Sequence, residues 1–79
     1  MSTNEAMNPC ELCKTPNQIK NPGYFEICHV CGWEDEPFQT KYPDEIGPNK
    51  ISLNEGIKRW ERGETLFSRY PNPKQIKSA

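Results

Sequence analysis

Four cysteines carry the clearest chemistry in this 79-residue chain, set as two Cys-x2-Cys pairs: Cys10-Glu11-Leu12-Cys13 and Cys28-His29-Val30-Cys31. Fourteen residues separate Cys13 from Cys28. Two residues between ligands let the backbone curl until both thiolates face one ion, and a hairpin of this length returns the second pair opposite the first. The spacing therefore predicts a tetrahedral site in which Cys10, Cys13, Cys28 and Cys31 hold one structural Zn2+ ion. Iron in a rubredoxin-like setting takes the same ligands and is the alternative occupant. A redox role would place one pair beside a βαβ pattern, and neither pair has that context. Four thiolates leave no open position for water or substrate, unlike catalytic zinc.

The other chemically capable residues complete no catalytic set. His29 stands inside the second pair, where the second position of a knuckle points outwards, so it is expected at the surface. Glu34, Asp35 and Glu36 form an acidic cluster, but the chain has one histidine and no serine, histidine or lysine constellation around those acids. The expectation is a protein without enzymatic activity and without a small-molecule substrate.

Positioning the cysteines is the work of three stretches. About Asn8 to Trp33 both pairs are joined through Asn21-Pro22-Gly23, a turn in which proline fixes φ and glycine accepts a positive φ. Tyr24 to Ile27 then reads as a short strand leading into the second pair, giving a hairpin-like unit. Gly32 permits the tight turn a knuckle needs, and Lys14 fills the equivalent place after the first pair. Glu34 to Asn49, with Pro37, Pro43, Pro48 and Gly47, is expected to be an irregular acidic loop pinned by Trp33, Phe38, Tyr42 and Ile46. Ser52-Leu53-Asn54-Glu55 is a capping box that starts a C-terminal α-helix, with Leu53, Ile57 and Trp60 as its apolar stripe and Gly63 at its end. The expected division is a zinc-binding domain over 8–63 and a C-terminal segment over 64–79, loose from Asn72 onwards.

Composition supports a metal staple. A third of the residues are apolar and the mean hydropathy is −0.96, so burial alone would hardly offset ordering costs of about 1–2 kcal/mol per residue. Met1 to Asn8 lacks the basic start and apolar run of a signal peptide, and no apolar run could span a membrane. A cytoplasmic protein is expected, in which reduced thiols favour metal over disulfides. Charge is uneven: residues 1–49 carry eight acids against three bases, and 50–79 three against seven.

The chain resembles the bacterial cysteine-rich CPCC family. Gly23-Tyr24-Phe25-Glu26-Ile27-Cys28-His29-Val30-Cys31-Gly32-Trp33-Glu34-Asp35 is similar to that family's Gly-Tyr-Glu-Ile-Cys-Pro-Val-Cys-x-Trp-Glu-Asp run. Gly47 to Glu55 is similar to its Gly-x-Asn-x-x-Ser-Leu-x-Glu entry into a helix. Glu11 and Leu12 replace the proline and third cysteine of the family's opening, whereas the outer pair, Cys10 and Cys13, is kept. The resemblance covers about Pro9 to Glu61 and implies a small metal-stabilised α+β fold with a zinc-ribbon-like knuckle pair. It also implies a stand-alone small protein of a kind sometimes found beside polymorphic toxins. An immunity protein that binds and blocks a cognate toxin is therefore the leading expectation, and a nucleic-acid-binding or regulatory adaptor the alternative. The expected partner contacts are Glu34, Asp35 and Glu36 together with Phe67, Arg69 and Tyr70, because aromatic and arginine side chains dominate interface energies. Of these, Arg69 and Tyr70 are the expected anchors, while Trp33 is expected to pack beside the metal.

Overall fold

The computed structural model describes residues 7–75. Its two cysteine pairs fold into near-identical knuckles. In each, the first cysteine's N–H donates to the carbonyl five residues on: Cys10 to Thr15 (3.0 Å) and Cys28 to Trp33 (2.9 Å). The carbonyl of that cysteine accepts from the N–H four residues on, Lys14 (2.9 Å) or Gly32 (3.0 Å). Both fourth residues take positive φ, 65° at Lys14 and 86° at Gly32. The sequence reading of these two positions as equivalent is thus met, with Lys14 bearing a conformation that favours glycine.

Antiparallel pairing supports each knuckle but stays minimal. Asn8 bridges Ile19 below the first, and Ile27 bridges Glu34 below the second. Among the described residues no strand extends beyond such a bridge. The strand expected over Tyr24 to Ile27 is interrupted because Phe25 has a φ of 63°, incompatible with a continuous extended run. The Asn21-Pro22-Gly23 turn forms as expected, with Gly23 at φ 87°. Two carboxylates flanking the second knuckle hold it: Glu26 accepts from the N–H groups of Lys20 (2.8 Å) and Asn21 (2.6 Å), and Asp35 from Gly23 (2.6 Å). Those backbone donors, Lys20 first, keep the Glu26 carboxyl below its ordinary range.

The stretch after Trp33 departs from the expected irregular loop. It contains a short helix, α1 (Pro37–Lys41), capped by Glu36, whose carboxylate accepts from the N–H groups of Phe38 (2.6 Å) and Gln39 (2.9 Å). Pro37 sits in the first turn, where a missing N–H costs nothing. The rest of the stretch is organised by polar groups. Fully buried Gln39 donates to the carbonyls of Glu45 and Ile51 (2.8 Å each) and accepts from the Asn49 amide (2.9 Å). Asn49 in turn pairs with both backbone groups of Glu34. Of the four expected apolar anchors only Trp33 is buried; Phe38, Tyr42 and Ile46 are exposed.

The helix expected after Ser52 is α2 (Leu53–Glu61), with the Ser52 hydroxyl accepting from the Glu55 N–H at 3.1 Å. The Glu55 carboxylate pairs with Arg59 at 2.9 Å. Gly63, at φ 91°, ends α2 in a Schellman motif, donating to Trp60 (2.9 Å) while Glu64 donates to Arg59 (3.0 Å). Leu53 and Trp60 are buried, and Ile57 packs against the core. Gly56 is equally important: a Cβ there would lie 2.6 Å from Leu12 Cδ1, so its absence lets α2 rest on the first knuckle.

The chain after α2 is anchored where a loose tail was expected. Asn72 is buried, and its amide donates to the carbonyls of Trp60 (2.9 Å) and Glu64 (3.0 Å). A 3-10 turn at Pro73–Gln75 follows. Residues 76–79 lie outside the described part. No helix among the described residues is long and apolar enough to cross a membrane.

Candidate metal centre

The knuckles bring all four sulfurs together. Cys10 Sγ lies 3.6 Å from Cys31 Sγ and Cys13 Sγ 3.7 Å from Cys28 Sγ, and all four sulfurs fall within 4.8 Å of one another. Disulfide bonds at about 2.05 Å are excluded by these separations. They match the edges of a tetrahedron around one ion, which are about 3.8 Å for metal–sulfur distances near 2.3 Å. Cys10, Cys28 and Cys31 are buried and Cys13 is half-buried. The four cysteines therefore form a cluster that fits one metal ion.

Further donors aim at the sulfurs. The Leu12 N–H points at Cys10 Sγ (3.4 Å) and the Val30 N–H at Cys28 Sγ (3.3 Å), the same step in each knuckle. Such donors favour thiolate over thiol. The thiols also divide their acidity: hydrogen bonding from Cys10 leads in pulling Cys13 down and in lowering Cys28 to about 6. Cys10 and Cys31 are pushed up by the same network, led by Cys13 and Cys10 respectively. A metal ion bound there would resolve this sharing by taking the place of the remaining protons.

Each knuckle has its own cover. Leu12 packs on α2 at Gly56, while the rings of Phe67 and Tyr70 lie over Gly32, where a Cβ would come within 2.5 Å of Tyr70. Trp33 is fully buried, as expected, and its Nε1–H donates to Glu11 Oε2 at 2.9 Å. The same carboxylate accepts from Thr40 Oγ1 of α1 at 2.8 Å. Glu11 thus joins the first knuckle to Trp33 and to α1, a role no local pattern reveals because its partners lie 22 and 29 residues away.

The residues expected to contact a partner fare unevenly. Asp35 and Glu36 are buried and use their carboxylates within the chain, one on the 20–23 turn and one as the α1 cap, which corrects the expectation that these two face a partner. Glu34 is half-buried beside Asn49. Phe67 and Tyr70 are half-buried on the second knuckle, so Tyr70 supports the fold where it was expected to project as an anchor, while Arg69 is exposed. His29 is exposed, as expected.

A model of the Cysteine-rich CPCC family matches residues 8–64, well over half of the chain. No curated protein matches it.

Proposed function

The chain belongs to the cysteine-rich CPCC family, and from that premise we propose that it is a non-catalytic protein-binding module stapled by one structural zinc ion. Its partner on this reading is a toxin of the same cell, which it blocks as an immunity protein. The convergence of four sulfurs carries the reading: a complete thiolate set satisfies the ion and leaves it no coordination position for chemistry. What remains for function is surface, held rigid around the ion in a zinc-ribbon-like knuckle pair.

Two measurements test this. Elemental analysis of the purified protein should find one zinc per chain, and iron in its place would overturn the metal assignment. Titration of the toxin that this reading requires beside its gene should reach full inhibition at one equivalent, with a stable complex on size-exclusion chromatography. Inhibition far below one equivalent, or none, would overturn the immunity reading.

A further inference from the structure

The two knuckles share one backbone plan but shield their second cysteines differently. Cys31 is 0% exposed, and the residue after it, Gly32, lies under the rings of Phe67 and Tyr70. Cys13 holds the matching place in the first knuckle and is only half-buried. The residue after it, Lys14, is exposed and spends its ammonium on the Glu11 carbonyl at 2.7 Å. Outside the cysteine cluster, the Thr15 hydroxyl lies 3.1 Å from the Cys13 sulfur.

Exposure decides which of the four sulfurs a dissolved oxidant meets first. Cys10 at 1% and Cys28 and Cys31 at 0% are out of its reach, whereas Cys13 is open to it. Directly behind Cys13, the Cys28 sulfur stands 3.7 Å away. An accessible thiolate with a second thiol poised beside it is the arrangement found in redox-sensing cysteines.

We propose that Cys13 is a modification site at which hydrogen peroxide opens the metal centre, with Cys28 as the resolving thiol. The Cys13 thiolate attacks the peroxide: an S–O bond forms, the O–O bond breaks and hydroxide leaves, giving the sulfenic acid of Cys13. The Cys28 thiolate then attacks that sulfur, forming the Cys13–Cys28 disulfide and expelling a second hydroxide. Two thiolates together lose two electrons and the peroxide gains them. Cys10 and Cys31 remain, 3.6 Å apart, and two sulfurs do not fill the four-coordinate shell of structural zinc. The ion is released, and the disulfide joins the two knuckles in its place. This rests on the zinc staple proposed above and is independent of what the partner is.

Hydrogen peroxide added to the full, zinc-loaded chain tests it, with zinc release followed by a chromogenic chelator against a peroxide-free control and the cysteines mapped by peptide mass spectrometry after alkylation. The first product should carry one disulfide, Cys13–Cys28, formed in step with the release of one zinc per chain, and dithiothreitol with zinc should restore the starting protein. A first bond between any other pair, sulfinic acid at Cys13 with zinc retained, or resistance to excess peroxide would overturn the proposal while leaving the staple standing. A chain that purifies folded without zinc would overturn both. Thr15→Ala removes the hydroxyl beside Cys13 but keeps the backbone carbonyl that the Cys10 N–H uses. A hydrogen bond to a thiolate quiets its nucleophilicity, so this variant should release zinc several-fold faster, and an unchanged rate would place the point of attack elsewhere.

Discussion

Glu11 shows how much one side chain inside a metal knuckle can hold. Its carboxylate takes the indole N–H of fully buried Trp33 and the hydroxyl of Thr40, so removing it strands a buried donor. An unsatisfied buried donor costs about 1–3 kcal/mol, more than the bond's net contribution to stability. Glu11→Ala should therefore lower the denaturation free energy by about that amount, whereas Thr40→Val, which removes only one donor at an exposed hydroxyl, should cost about 0.5–1.5 kcal/mol. Guanidinium titration followed by tryptophan fluorescence measures both, and equal losses would mean that the Trp33 bond carries no special weight. The four cysteines were legible from type and spacing because ligation demands little else. Glu11 was not, since its partners are brought to it by the closure of both knuckles and by α1. The acidic cluster misled for a related reason: three consecutive carboxylates look free to meet a partner until the turn and helix N-terminus that two of them satisfy are known.

Elements differ in how openly they announce themselves. For α2, a serine cap, an apolar stripe and a terminal glycine agree, and all three features appear in the structure. For α1, Pro37 was read as a breaker when its place directly after Glu36 made it a first-turn residue behind a carboxylate cap. Five residues offer no periodicity to set against that reading. The expected strand failed at Phe25 because aromatic type favours extended backbone, while the hydrogen bond to Asp35 imposes a left-handed one. Gly56 separates local from tertiary preference most clearly. Alanine should stabilise an isolated helix there by about 1 kcal/mol. In the folded chain its Cβ would meet Leu12 Cδ1 at 2.6 Å, and Leu12 is fully buried against the cysteine cluster. Overpacking of this kind costs about 1–3 kcal/mol, so Gly56→Ala should destabilise the protein by up to about 2 kcal/mol net. A Leu12→Ala background makes the room, so there the same substitution should be neutral or stabilising. Thermal melts of the four variants close the cycle, and additive effects would show that helix and knuckle are not in the contact described.

For the molecule as a whole, the uneven charge and the small core set the limits of behaviour. With eight acids in residues 1–49 the protein should bind mixed-sequence DNA no more tightly than about 10 μM at physiological salt, since non-specific affinity comes from neutralised phosphates. Fluorescence anisotropy with a labelled duplex measures this, and nanomolar binding would restore the nucleic-acid reading. The core is more unusual than the charge. Among the described residues its buried apolar members are Cys10, Leu12, Ile19, Cys28, Cys31, Trp33, Leu53 and Trp60, so three of these eight are themselves ligands of the candidate site. Pairing between the extended segments of the described residues is limited to two isolated bridges, and the loop after α1 hangs on Gln39 and Asn49. Once the sulfurs are released from a common ion, the two knuckles are joined, among the described residues, by little more than this small core and single hydrogen bonds such as those of Glu11 to Trp33 and Gln18 to the His29 N–H. Structural zinc in small domains contributes about 10–16 kcal/mol of apparent binding free energy, as much as the entire stability of an ordinary domain. Chelation, or Cys28→Ser, should therefore remove the near-UV circular dichroism of Trp33 and Trp60 and abolish cooperative melting, with zinc restoring the chelated protein but not the variant. Acid should act as chelation does, because protons compete for the same sulfurs, so the loss should shift to lower pH as zinc is raised. A metal-free chain that keeps its near-UV signal and melts cooperatively would show that the apolar contacts of α2 and Trp33 suffice without the ion.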